Sequence, residues 1–151
     1  MRLLTRSAEE TRRLGLKLGA RLQGLDLICL YGTLGAGKTT FVQGLAKGMG
    51  YRGRVMSPTF GIARCYRTSK LSLHHVDLYR VEAAHTGDIG LEELVRDPVA
   101  ACVIEWPDAG VHYLPKDRLE LRLERAPAGA RKLTVKALGT RSKQLAAELS
   151  A

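Results

Sequence analysis

The stretch Gly32-Thr33-Leu34-Gly35-Ala36-Gly37-Lys38-Thr39 constrains this chain more than any other, because it completes the pattern G-x-x-x-x-G-K-[ST]. That pattern is informative only between a strand and a helix. Leu25-Asp26-Leu27-Ile28-Cys29-Leu30-Tyr31 is a short apolar run that stops at Gly32. From Lys38 to about Met49, Phe41, Val42, Leu45, Ala46 and Met49 recur at helical spacing, and Gly48 and Gly50 end the pattern. Glycines let the loop curl so that successive backbone N–H groups face phosphate oxygens, and the helix N-terminus adds partial positive charge. The candidate nucleotide-binding residues are Gly32, Thr33, Leu34, Gly35, Ala36, Gly37, Lys38, Thr39 and Thr40. Lys38 reaches the β- and γ-phosphates, and the Thr39 hydroxyl ligates the magnesium ion that travels with them. ATP or ADP with magnesium is therefore the expected cofactor.

A phosphate loop binds nucleotide without choosing a reaction. Magnesium needs an acidic group at a strand end, and hydrolysis needs a group to orient water. Two acids qualify. Glu105 closes Val99-Ala100-Ala101-Cys102-Val103-Ile104, the purest buried-strand run in the chain. Asp77 closes the less apolar Leu71-Ser72-Leu73-His74-His75-Val76. One would hold the ion and the other would position water, and the residues alone leave the assignment open. The candidate catalytic set is Lys38, Asp77 and Glu105; the candidate metal set is Thr39, Glu105 and Asp77. His74 and His75 are adjacent and face opposite sides of a strand, so they cannot chelate one ion together. One is expected in the core and one at the surface. Trp106, Tyr79 and Arg80 belong at the rim of such a site.

With 151 residues the chain suits one domain, spanning 1–151. Hydrophobic residues make up 45% and charged residues 26%, which excludes a disordered chain. No apolar run reaches the roughly 20 residues of a membrane span. The N-terminus lacks the apolar segment of a secretory signal. Cys29, Cys65 and Cys102 are odd in number, widely spaced and placed in predicted strands, which reads as buried, reduced thiols in the cytoplasm. The net charge of +9 fits attraction to RNA or to an acidic protein. It fits a solvated basic surface better, since the basic residues are scattered and no aromatic-interleaved nucleic-acid motif occurs.

Ser7-Ala8-Glu9-Glu10 has the spacing of a capping box, and Leu14, Leu18 and Leu22 extend one apolar stripe over a helix from Ala8 to about Leu22. Val55-Met56 reads as a short strand entering the turn Ser57-Pro58-Thr59-Phe60. Gly61–Arg67 and Leu71–Leu78 form a hairpin across Thr68-Ser69-Lys70. A short helix is expected near Gly90–Arg96. Arg118–Glu124 alternates and is answered by Leu133, Val135 and Ala137, a half-exposed hairpin. A last helix starts near Arg141 with Leu145 and Leu149 packed. The expected fold is α/β, a single-domain P-loop NTPase-like fold. Its central sheet is mixed parallel and antiparallel and flanked by helices, because hairpins interrupt the β-α-β rhythm.

Four blocks occur in order: Gly32–Thr40, Ser57-Pro58-Thr59-Phe60, His75-Val76-Asp77-Leu78-Tyr79-Arg80 and Glu105-Trp106-Pro107. Together they resemble the TsaE family, bacterial P-loop ATPases of tRNA threonylcarbamoyladenosine biosynthesis. The resemblance runs from the N-terminal helix to about Pro115 and includes Gly90-Leu91-Glu92-Glu93-Leu94. It implies an ATPase that cycles or resets a complex with two partner proteins, TsaB and TsaD, which modify the adenosine beside the anticodon of tRNA. By motif position it implies that Thr39 and Glu105 hold magnesium and that Asp77 is the acid needed for hydrolysis. It also implies that Ser57 and Thr59 respond to nucleotide and that the N-terminal helix region contacts adenine. Thr33 stands where the family commonly has an acid, and Val76 where an aromatic is common. Two other readings compete: a small kinase passing the γ-phosphate to a nucleoside or metabolite, and a non-enzymatic nucleotide switch that binds RNA.

Overall fold

In the computed structural model, which describes residues 1–58 and 62–151, seven strands form one sheet in the order β1-β7-β6-β2-β5-β4-β3. The strands are β1 Arg2–Thr5, β2 Leu27–Tyr31, β3 Ala63–Arg67, β4 Ser72–Asp77, β5 Ala100–Glu105, β6 Leu119–Arg125 and β7 Arg131–Ala137. The helices are α1 Ala8–Gly19, α2 Lys38–Gly48, α3 Leu91–Val95 and α4 Thr140–Ser150. Strands β6, β2, β5 and β4 run parallel, and antiparallel pairs (β3 with β4; β6 with β7 and then β1) close both sides. The sheet is mixed, as the interrupted rhythm predicts.

Helices α1, α2 and α4 cover one face over Leu18, Ile28, Leu30, Phe41, Leu45, Leu121 and Leu123. The other face is thinner. There α3 and two 3-10 segments, Ala83–Ile89 and Pro107–Tyr113, close over Leu27, Cys29, Val76, Leu78, Cys102 and Ile104. β5 is buried along its length, as its unbroken apolar run predicts. The β6–β7 hairpin is half-exposed, as its alternation predicts: Leu119, Leu121 and Leu123 are fully buried on one side, and β6 also joins the parallel sheet beside β2.

Several local expectations change. β1 is a four-residue strand too short to show a pattern, formed by pairing with β7. Val55 and Met56 form no strand, and of the turn that follows only Ser57 and Pro58 are among the described residues. Ser7 caps α1 by accepting from Glu10 N at 3.1 Å, but the Glu10 carboxylate accepts from Arg6 N instead of Ser7 N. The helix ends at Gly19, before Leu22. Cys65 is exposed on the edge strand; only Cys29 and Cys102 are buried, and burial pushes the Cys29 thiol up to about 12. Asp117, remote in sequence, caps α4 through Arg141 N and Ser142 N at 2.8 and 2.9 Å.

The seam between α1 and α2 is made of glycine. A Cβ at Gly15 would lie 2.3 Å from Phe41 O, at Gly44 2.0 Å from Arg12 O, at Gly19 2.1 Å from Leu45 O, and at Gly48 2.1 Å from Leu16 O. The helices thus meet backbone to backbone. Gly44→Ala should gain about 1 kcal/mol of helix propensity but incur about 1–3 kcal/mol of overpacking, more if the helices separate. We expect a lower thermal midpoint; an unchanged or raised midpoint would mean the seam yields freely.

Candidate functional site

The parallel register decides where the chemistry gathers. Leu30 pairs with Glu105 and Asp77 pairs with Glu105, so three strand ends and the loop after β2 open at one edge of the sheet, where ligands of open α/β sheets bind. A cavity of about 440 Å³ there is lined by Leu34, Gly35, Gly37, Lys38, Thr39, Thr40, Ser57, Asp77, Tyr79, Arg80, Glu105, Trp106 and Arg131. Of the sequence-predicted residues, Leu34, Gly35, Gly37, Lys38, Thr39, Thr40, Asp77 and Glu105 all face it. Gly32 and Thr33 lie at the loop's entry, beside a smaller cavity with Trp106, and Ala36 is buried beneath the loop.

The curl depends on left-handed backbone at two glycines: Gly35 has φ 74° and Gly37, the N-cap of α2, has φ 105°. The curl is braced from behind by side chains of the β6–β7 hairpin. Arg131 donates through Nε to Ala36 O at 2.9 Å and through Nη2 to Gly35 O at 3.3 Å; Arg125 Nη2 reaches Leu34 O at 3.4 Å. Three successive loop carbonyls, of Leu34, Gly35 and Ala36, are thus engaged by guanidinium groups.

Lys38 is only 5% exposed. Its Nζ donates to Thr33 O at 3.0 Å and to Gly32 O, and lies 4.2 Å from the centroid of the Trp106 ring. Burial pushes this ammonium below the usual lysine range, while the charges of Glu105 and Asp77 act the other way. Trp106 has φ 56°, a conformation uncommon for a large side chain, and stacks at 4.8 Å against Tyr79. The strand thus turns sharply just after Glu105.

Glu105 is 3% exposed and sits at a junction. The Thr39 hydroxyl donates to its Oε1 at 3.2 Å. Its Oε2 lies 2.6 Å from His75 Nε2, and His75, fully buried, places Nδ1 2.9 Å from the Tyr66 hydroxyl. That hydroxyl is also 3.0 Å from Met56 O. A carbonyl can only accept, so Tyr66 spends its proton on Met56 and His75 Nδ1 must donate to Tyr66. Nε2 and the Glu105 carboxylate then share one proton. Asp77 is tied separately: Oδ2 accepts from Ser57 Oγ at 3.0 Å and Oδ1 from Tyr79 N at 2.9 Å. His74 lies on the other side of β4, paired with Asp97 at 2.8 Å.

Thr39, Glu105 and Asp77 offer oxygen donors, the chemistry magnesium prefers. Among the described residues no group of three or more His, Cys, Asp or Glu side chains is preassembled for a metal. Sequence reasoning missed Arg125, Arg131 and Tyr66 as parts of the site, and left open which of His74 and His75 is buried; it is His75. Nothing in their local sequence marks them; register and strand order bring them in.

A glycine loop between β2 and α2, with acids at the tips of neighbouring parallel strands, defines a P-loop NTPase-like α/β protein. Residues 5–133 match the family model described as threonylcarbamoyl adenosine biosynthesis protein TsaE. Relatives named tRNA threonylcarbamoyladenosine biosynthesis protein TsaE are similar over most of the chain. The Bacillus subtilis protein is 38% identical over 146 residues, 97% of this chain and 91% of its own length. The Streptomyces coelicolor protein is 42% identical over 138 residues, 86% and 92%. The crystal structure of Bacillus subtilis YdiB superposes with a TM-score of 0.85 at 34% identity, covering 99% of this chain and 93% of that one. The chain belongs to the TsaE family.

Proposed function

We propose that this protein binds ATP and hydrolyses it with magnesium. With TsaB and TsaD it would support threonylcarbamoylation of the adenosine beside the anticodon in tRNA, as the ATPase that resets the complex between rounds. The observation that carries the reading is the convergence of Lys38, Thr39, Asp77 and Glu105, from three separate segments, on one cavity at the strand ends. Family membership supplies the tRNA-modification context.

In this reading Lys38 exchanges its bonds to Gly32 O and Thr33 O for phosphate oxygens, and Trp106 keeps its ammonium beside the cavity. Thr39 and Glu105 would hold magnesium, and Asp77 would be a further oxygen donor toward it. Magnesium, when bound, neutralises charge on the β- and γ-phosphates. Asp77, held by Ser57 and Tyr79 N, orients the attacking water. His75 and Tyr66 fix the rotamer of Glu105. Catalysis here is mostly positioning and charge neutralisation. Of the two arginines lining the cavity, Arg80 and Arg131, Arg131 is engaged with loop carbonyls and Arg80 is not without a partner either. We therefore expect a slow ATPase in isolation.

The test is phosphate release by the purified chain with and without TsaB and TsaD. Acceleration in the assembled complex is expected, and an unchanged rate would count against the coupling. A small kinase would instead consume ATP only with an acceptor and release no free phosphate. Among the described residues no helix is long and apolar enough to cross a membrane; action in the cytoplasm, where tRNA is modified, is part of the proposal.

A further inference from the structure

A second, larger cavity of about 690 Å³ adjoins the first, and Thr39 and Ser57 line both. Its walls are Arg12 of α1, Gln43 and Lys47 of α2, and residues 51–57. Arg12, Lys47, Arg52 and Arg54 line it, and no Asp or Glu does among the described residues. Lys47, Arg52 and Arg54 are exposed and make no ion pair among the described residues, whereas Arg12 pairs with Glu9 at 2.7 Å. Between the cations lie the apolar groups of Tyr51, Val55 and Met56, the last 43% exposed. A merely solvated basic surface would have no reason to bring unpaired cations around an apolar concavity.

We propose that this cavity is the docking site for an acidic segment, carrying an apolar anchor, of the protein partner in the function proposed above, and that its occupancy is coupled to the nucleotide site. Charge complementarity calls for carboxylates, and the exposed Met56 beside Tyr51 and Val55 calls for an apolar side chain between them. A polynucleotide fits less well. Among the described residues the one aromatic lining the cavity, Tyr51, is already packed on Tyr66 at 5.0 Å.

The coupling has a physical route. The Met56 carbonyl, on the cavity wall, is bonded to Tyr66, Tyr66 to His75, and His75 to Glu105, which holds Thr39. Ser57, next in the same wall, is bonded to Asp77. A segment pressing on residues 56–57 therefore bears on both acids, and by linkage a change at the acids alters docking affinity by the same factor.

The test is titration of the chain with purified TsaB and TsaD, following affinity by calorimetry. Arg52→Glu/Arg54→Glu should weaken docking by about tenfold or more and leave magnesium–ATP affinity and the thermal midpoint unchanged. Arg52→Lys/Arg54→Lys should dock nearly as wild type, and wild-type docking should weaken with added salt. Tyr66→Phe should still dock but show a smaller difference in docking affinity between nucleotide-free and magnesium–ATP states, the Ser57–Asp77 contact remaining. A wild-type chain that binds neither partner would overturn the proposed function and this inference with it. Normal wild-type binding with equally tight docking by the double glutamate variant would overturn the inference alone. So would loss of tRNA affinity in that variant with partner affinity intact, which would assign the cavity to RNA. A nucleotide effect on docking that is undiminished in Tyr66→Phe would overturn the coupling through Tyr66.

Discussion

Lys38→Ala is expected to abolish tight nucleotide binding and to lower ATP turnover by about 10²–10³-fold or more, the scale of losing one preorganised charge donor. The side chain is nearly buried, and its only donors are directed at Gly32 O, Thr33 O and the face of Trp106. Removing it takes away the one lysine that can follow the β- and γ-phosphates, and it leaves two loop carbonyls short of a donor. Binding measured by calorimetry with ATP and with ADP, alongside a thermal melt, separates loss of the phosphate contact from loss of the loop. A folded variant that binds ATP as tightly as wild type would put the nucleotide elsewhere.

The second large effect belongs to the acids. Glu105→Gln keeps the shape that faces Thr39 and His75 and removes the negative charge. Its nucleotide affinity should become nearly indifferent to magnesium, and phosphate release should fall by about 10²-fold or more. Asp77→Asn should preserve affinity better than turnover, since Asp77 is bonded to Ser57 and Tyr79 N and makes no bond to Thr39. Binding titrations with and without magnesium, paired with single-turnover phosphate release, distinguish the two roles. If both variants hydrolyse ATP at the wild-type rate, Lys38, Asp77 and Glu105 do not form one catalytic set. Glu105→Ala is the harsher change, because it would leave buried His75 without its Nε2 partner.

Much of this arrangement could be read from residue order. The loop from Gly32 to Thr39 was legible because its shape resides in backbone curvature, which glycine positions dictate locally. β5 was legible because a strand buried on both faces must be apolar throughout. Glu105 and Asp77 stood out as carboxylates ending such strands. The short strand β1 was not legible, because four residues carry too little periodicity and its stability comes from β7, more than a hundred residues away. Cys65 misled for a related reason. A strand-like pattern does not reveal whether a strand lies at the edge, and β3 does. The leucine stripe of α1 was visible, yet the closest contact with α2 runs through Gly15, Gly19, Gly44 and Gly48, and a residue without a side chain leaves no hydrophobic signal.

By itself the sequence determined the glycine loop, the helix it opens and the two acids to be weighed, because each rests on local backbone geometry or on periodicity within a few residues. Only the tertiary structure decided that Glu105 is gripped by Thr39 and His75, that Tyr66 links His75 to the wall at Met56, and that Arg125 and Arg131 brace the loop from the far hairpin. Those contacts join residues up to 96 positions apart. Strand order and register create them, and both are set by how the whole sheet buries its two faces, a condition that no short window of sequence contains.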